Sequence, residues 1–305
     1  MATITAPRAV RSRRPADLAL AALAPASWGT TYVVTTTLLP ADRPLLAATL
    51  RALPAGLVLV AATRRLPTGA WWWKSAVLGL LNFGAFFPLL FFAAYRLPGG
   101  VAATIGSVQP LIVATLSLLV LRIRPGRTVL YAALAGSGGV ALLTLTARAA
   151  LDPLGIAAML AATSLMATAI VLAKKWGPPE SPLVMTGWQL TAGGLVLAPL
   201  TLAVEGVPAT VTTANVLGFA YLGIVGTAVA YAFWFRGIDR LPPTSLSLLG
   251  LTNPLVATLA GFVILGQTLT GWQIAGFLVA LGALVAGQLA PPAPRPRPTP
   301  SIEKE

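Results

Sequence analysis

The amino-acid sequence predicts an all-α polytopic membrane protein, with ten transmembrane helices in two inverted five-helix repeats. Three observations carry that prediction. The 305 residues are 56% hydrophobic and only 10% charged, against about 25% charged in ordinary soluble domains. The apolar residues fall in stretches of ~20, the length that crosses a bilayer as a helix. One short pattern also occurs twice, 144 residues apart: Arg96-Leu97-Pro98 ahead of Gly106…Gln109-Pro110-Leu111, and Arg240-Leu241-Pro242 ahead of Gly250…Asn253-Pro254-Leu255.

The stretches can be taken in order. Leu18–Leu39 follows a basic run, Arg8 to Arg14. Ala24-Pro25-Ala26 loosely resembles a signal-peptide cleavage site, but the apolar run continues through Tyr32-Val33-Val34, so a retained span is expected. Pro44–Ala62 opens on proline, which suits a first helical turn, and contains Arg51. Lys74–Tyr95 follows Trp71-Trp72-Trp73, an interfacial aromatic belt. Gly100–Leu121 and Thr244–Leu265 hold the two copies of the repeated pattern. Thr128–Ala147 lies between Arg127 and Arg148, and Pro153–Ala173 and Pro182–Val204 again open on proline. Asn215–Arg236 ends among basic residues, and Thr270–Gln288 gives way to a Pro-rich segment. The expected organisation is a basic tail at 1–16, a first repeat at 17–147, a second at 152–290 and an extended tail at 291–305.

Further matches support the repeat. Pro44-Leu45 matches Pro182-Leu183, and Gly56-Leu57-Val58-Leu59 matches Gly194-Leu195-Val196-Leu197, both at an offset of 138. Val77-Leu78-Gly79 matches Val216-Leu217-Gly218 at 139. The rise to 144 at the repeated pattern predicts about five residues inserted after the eighth span. Five spans per copy is an odd number, so the copies enter the membrane from opposite sides. Inverted repeats of this kind support alternating access around a midplane site.

Charge sets the orientation. With the N-terminus inside, seventeen basic residues fall on the cytoplasmic side and only Arg43, Arg96 and Arg148 on the other. The net charge of +13 is therefore topology rather than a nucleic-acid signal. Both termini are expected in the cytoplasm, in a bacterial inner membrane. The chain has no cysteine and no histidine. That excludes disulfides, imidazole–thiolate metal sites and Ser-His chemistry. No metal, cofactor or obligate protein partner is expected, and no enzymatic activity.

Trp28-Gly29 in the first span, Arg51 in the second and the Pro-containing fourth and ninth spans resemble the EamA-type transporters of the drug/metabolite transporter superfamily. The resemblance covers about residues 17–289. It implies two five-helix halves around a central cavity, export of amino acids or related metabolites, and, as the nearest type, an aromatic amino acid exporter of broad specificity.

Several residues are candidates for contact with a small-molecule substrate. Pro110 and Pro254 each remove a backbone donor and crowd the carbonyl four residues back, which belongs to Gly106 and Gly250. Those carbonyls would suit an ammonium, and the two prolines would act as hinges. Gln109 and Asn253 lie about nine residues into their spans, ~14 Å deep at 1.5 Å per residue. They either face a wet cavity or bridge helices. Arg51 either binds a carboxylate or serves structure, by snorkelling outward or by satisfying carbonyls freed near Pro54. Its repeat partner is Gln189, beside Trp188. Asn82 and Tyr221 correspond at offset 139 and would face each other across a cavity or bond neighbouring helices. Trp28, Trp188, Tyr231 and Trp234 are candidate aromatic walls.

No span contains Asp or Glu. Proton-driven carriers usually use such a group, so facilitated transport or exchange is expected, with Asp17 or Asp239 as boundary alternatives. A zwitterionic or neutral metabolite fits these residues best. An anionic metabolite or a drug, carried with protons, is the alternative transport reading, and a non-transporting receptor or subunit a further one.

Overall fold

The computed structural model describes residues 14–97, 99–144, 152–208, 210–265 and 269–289, and every regular element among them is helical. Helix α1 runs Arg14–Gly29 and resumes as Thr31–Leu38. Helix α2 is Pro44–Thr63. Helix α3 comprises Trp71–Gly79, a π-helical turn Leu80–Gly84, and Phe86–Arg96. Helix α4 is Gly99–Gly106, then Gln109–Leu121, and α5 is Arg127–Thr144. In the second half α6 is Pro153–Trp176 and α7 is Pro182–Val204. Helix α8 is Thr213–Gly223, a π-helical turn Ile224–Val229, and Ala230–Arg240. Helix α9 is Pro243–Leu249, then Thr252–Leu265, and α10 is Gly271–Leu289. Most of both expected tails, Pro98, Arg148 and the end of the fifth expected span lie outside the described residues.

Among the described residues, eight helices are long and apolar enough to cross a membrane. Helices α5 and α9 are not among them. The described part of α5 is 18 residues and opens on Arg127, and α9 is interrupted at Gly250 and Leu251.

Local chemistry explains the ends. Proline occupies the first turn of α2, α6 and α7, where its missing N–H would lack a helical partner anyway. Asp152 caps α6 by accepting from the Leu154 N–H at 2.9 Å. Thr212 and Asn215 form a reciprocal capping box on α8. Gly177, with φ of 65°, stops α6.

Side-chain contacts define two ends of the bundle. At the basic end Arg65 pairs with Glu180, Asp17 pairs with Arg236, and Lys74 stacks near Trp71 and Trp176. Trp72 and Trp73 are exposed there, as an aromatic belt requires. At the opposite end Glu205 accepts from the N–H groups of Leu45 and Leu46 at the start of α2, and Asn215 donates to the Leu38 carbonyl. Arg96 pairs with Asp152 at 3.0 Å; that hydrogen bond, with the Leu154 N–H, holds the exposed Asp152 carboxyl below the usual carboxylate range.

The halves meet through equivalent helices: α2 packs on α7, and α5 on α10. Small residues permit the contact. A Cβ on Gly56 would lie 2.5 Å from the Thr191 backbone nitrogen, and one on Gly194 would lie 2.7 Å from Leu53 Cα. The π-helical turns, starting at Leu80 and Ile224, are already 144 residues apart. The expected insertion after the eighth span is therefore corrected. The extra residues lie earlier, between the middle of α7 and the middle of α8. Asn82 consequently aligns with Gly226 and not with Tyr221.

Two adjacent glycines test the α5–α10 packing. A Cβ on Gly139 would sit 2.6 Å from the Ala280 nitrogen, whereas one on Gly138 meets nothing within 4 Å. Gly139→Ala is expected to destabilise the purified protein by about 1–3 kcal/mol, seen as a lowered melting temperature in detergent. Gly138→Ala leaves the melting temperature at or slightly above the parent value.

Candidate functional site

The interruptions of α1, α4 and α9 meet around a cavity of about 110 Å³. Its middle is built from both halves. Gln109 and Asn253 line it, with Gly106, Gly250, Pro110 and Pro254 behind them. A Cβ on Gly250 would lie 3.5 Å from Gln109 Oε1, so the two repeated patterns face each other. The cavity extends away from the basic end, past Thr31, Thr35, Phe91, Ala94, Met159 and Thr163. Its aromatic floor comprises Trp28, Tyr231 and Trp234: Trp28 lies 4.9 Å from Tyr231 and 5.2 Å from Trp234, ring centre to ring centre.

Among the described residues no hydrogen bond joins the Gln109 or Asn253 side chain to the rest of the protein. Three further polar groups on the lining are buried without a hydrogen-bond partner among the described residues: the Thr31 and Thr35 hydroxyls and the Trp234 indole N–H. A buried donor or acceptor left unmatched costs about 1–3 kcal/mol. Thr31 and Thr35 were missed as candidates because single hydroxyls are common in apolar helices. The available signal was spacing: Trp28, Thr31 and Thr35 recur at i, i+3 and i+7, one face of α1.

Arg51 is 2% exposed and reaches the cavity wall. Its guanidinium donates to Thr227 Oγ1 at 2.7 Å and to the Gly226 carbonyl at 2.9 Å, and lies 4.6 Å from the centre of the Phe87 ring. The Trp28 indole N–H donates to the same Gly226 carbonyl at 3.0 Å. Gly226 lies in the π-helical turn of α8, so Arg51 braces that turn. Buried at this point, it does not snorkel outward, one of the roles the sequence allows.

Four candidates lie off the cavity. Asn82 Nδ2 donates to Gln189 Oε1 at 2.9 Å, and both are buried between α3 and α7. The Tyr221 hydroxyl shares a 2.7 Å hydrogen bond with Thr30 at the break in α1. Trp188 packs on Val184 and Met185 and donates to the Arg65 carbonyl at 2.7 Å. These side chains bond neighbouring helices. The Gly250 carbonyl is not free either: it accepts from the Asn253 N–H at 3.0 Å. Both interruptions fall just before their prolines, at 107–108 and 250–251. Among the described residues no group of acidic side chains is placed to hold a metal.

A two-repeat helical bundle with a largely apolar cavity, carrying a few polar side chains, at the meeting of its broken helices fits a membrane transporter, and comparison with known proteins gives the same class. The EamA-like transporter family model matches residues 17–145 and again 153–286. The chain is 49% identical to protein PecM of Dickeya dadantii over 267 residues, covering 87% of this chain and 90% of that protein. It is 27% identical to the uncharacterized transporter YwfM of Bacillus subtilis, covering 85% and 89%. A solved crystal structure superposes with a TM-score of 0.74 at 21% identity, covering 89% of this chain and 96% of the other. The chain belongs to the EamA-like transporter family. It is a multi-pass membrane transporter of small molecules, not an enzyme.

The Asn82–Gln189 bond gives a clean test of the bracing. Asn82→Leu alone strands the Gln189 amide and is expected to cost about 1–3 kcal/mol. Adding Gln189→Leu recovers at least 0.5 kcal/mol of that loss, on the order expected for contacting residues. Thermal unfolding of the two single variants and the double variant reads the coupling directly.

Proposed function

We propose that the protein exports small metabolites with a polar and an aromatic or apolar side, amino acids foremost and aromatic ones among them, from the bacterial cytoplasm by alternating access. The basic end faces the cytoplasm with both termini, following the seventeen-to-three distribution of basic residues. Helices α5 and α9 complete ten spans in this reading, and the two repeats occupy 17–147 and 152–290. The observation that carries the proposal is the facing pair Gln109 and Asn253, two amides without a hydrogen-bond partner among the described residues, above a floor of Trp28, Tyr231 and Trp234. Amides donate and accept at once, which suits a zwitterion or a neutral polar head. The aromatic floor suits a ring or an ammonium. Gly106, Gly250, Pro110 and Pro254 form the breaks about which α4 and α9 would bend. Among the described residues no acidic side chain lines the cavity, which supports facilitated diffusion or exchange as the transport step.

A second reading, a neutral metabolite in place of an amino acid, is favoured by Arg51. Its guanidinium is engaged by Gly226, Thr227 and Phe87. A carboxylate would have to compete with those contacts.

Counterflow in proteoliposomes separates these readings. Gln109→Leu and Asn253→Leu are each expected to reduce uptake at least tenfold, equivalent to about 1.4 kcal/mol, with protein yield retained. Uptake indistinguishable from wild type in both variants would remove the pair from the site. An aromatic amino acid that competes no better than its uncharged amide selects the neutral-metabolite reading. Accumulation driven by a pH gradient alone would overturn the facilitated mechanism.

A further inference from the structure

A second, much smaller pocket of about 20 Å³ lies at the basic end between α6, α7 and α8. Ala173, Met185, Gln189, Phe235, Ile238 and Asp239 line it. Repeat symmetry identifies what it is. Helices α1 and α6 open on Pro15 and Pro153, 138 residues apart, the same offset that relates α2 to α7. The second parts of α3 and α8 are related by 144, ending on Arg96 and Arg240. On these offsets Ala173 is the image of Thr35, Gln189 of Arg51, Phe235 of Phe91 and Ile238 of Ala94. All four images line the large cavity, on its side away from the basic end. The small pocket is thus the mirror counterpart of that half of the cavity, collapsed.

The two ends differ in what ties the mouth helices together. Arginine–aspartate pairs occur at both: Arg96 with Asp152 at the open end, Asp17 with Arg236 and Arg240 at the basic end. A feature present at both ends cannot be what closes one of them. Lys174 differs. Its ammonium, on α6, donates to the Ile238 and Asp239 carbonyls of α8 at 3.0 and 2.8 Å, across the small pocket. Those carbonyls belong to the last turn of α8, where a cation is favoured. The position symmetric to Lys174 is 36, a threonine, with no ammonium to span the open end.

We propose that the small pocket is the closed basic-side mouth of the transport path, and that Lys174 is the latch holding α6 to α8 while the cavity is open on the other side. The proposal rests on the alternating-access reading above. In the opposite state Gln189 becomes a wall residue, as Arg51 is here. Asp17 with Arg236 stays paired in both states, as a pivot.

The chain contains no cysteine, so single introduced thiols report without background. Ala173→Cys reports the basic-side mouth and Ala94→Cys, at the image of Ile238, the opposite one. Each is labelled with a membrane-impermeant maleimide, in inverted and right-side-out vesicles respectively. Adding Lys174→Met is expected to raise labelling at position 173 at least threefold and to lower it at position 94. Lys174→Arg, which keeps the donors, retains the parent ratio, and Lys174→Gln, with one donor group, falls between. Asp17→Asn leaves the ratio within twofold of the parent. Equal ratios across Arg, Gln and Met at position 174, in protein with parental thermal stability, would overturn the latch. A shift produced by Asp17→Asn and not by Lys174→Met would move the latch to the ion pair and overturn the assignment. A thiol at position 94 that is unreactive in the otherwise unmodified chain would overturn the transport path itself, a distinguishable failure.

Discussion

The Gly226 carbonyl is the point on which the centre of the protein depends. A membrane helix that departs from regular geometry releases backbone groups, and lipid offers them no partner. The π-helical turn of α8 is such a departure, and such turns often lie at functional sites. Here two donors converge on the released carbonyl, Arg51 from α2 and the Trp28 indole from α1. Three helices from both repeats are thereby joined at one atom. The same bonds orient Trp28 as part of the cavity floor, against Tyr231 and Trp234. Backbone satisfaction and substrate surface are consequently one structure.

The same requirement recurs at each interruption. Ser137 on α5 donates to the Ser107 carbonyl in the break of α4, and Gln288 on α10 to the Ser245 carbonyl on α9. Thr30, at the break in α1, bonds the Ser27 carbonyl and the Tyr221 hydroxyl. In the first half the image of the Arg51–Gly226 contact is Gln189 with Asn82, on the π-helical turn of α3. The geometry of the brace is repeated while its chemistry is not: a guanidinium on a carbonyl in one half, an amide on an amide in the other. An amide pair is uncharged and satisfied by a single partner. A buried guanidinium brings a permanent charge to the cavity wall. The asymmetry of the repeats is concentrated at this point.

This pattern also explains what could be read from the residues in advance. Apolar runs and prolines at helix starts marked the helices to within a few residues, because bilayer thickness and proline geometry are strong local constraints. The facing of Gln109 and Asn253 was legible because proline and glycine announce a broken helix. The π-helical turns carry no such signature. Nor do the residues added between the middle of α7 and the middle of α8, so an alignment extended from Val77-Leu78-Gly79 placed Asn82 against Tyr221 and missed Gly226. Trp188 looked like Trp28 as an aromatic in an apolar helix. Only the direction of its side chain, toward the Arg65 carbonyl, separates them. Arg51 was recognisable as important, but its partners lie on α8, 175 residues away in sequence.

The engaged state of Arg51 does not make its charge irrelevant to the cargo. Its hydrogen bonds saturate directions, not the field. At an effective dielectric of ~20, a positive charge repels a second one about 6 Å away by about 3 kcal/mol. The lining holds no carboxylate to offset this. A simple organic cation would therefore meet a net penalty at the middle of the path, on top of its own loss of water. An anion would gain from the field yet find its best donors already bonded to Gly226 and Thr227. On the proposed function, a molecule of zero net charge avoids both difficulties and still has Gln109 and Asn253 on the lining to meet. On that proposal, selectivity would follow from how the protein stabilises its own irregular helix: the group that holds the π-helical turn also places a positive charge at the cavity wall.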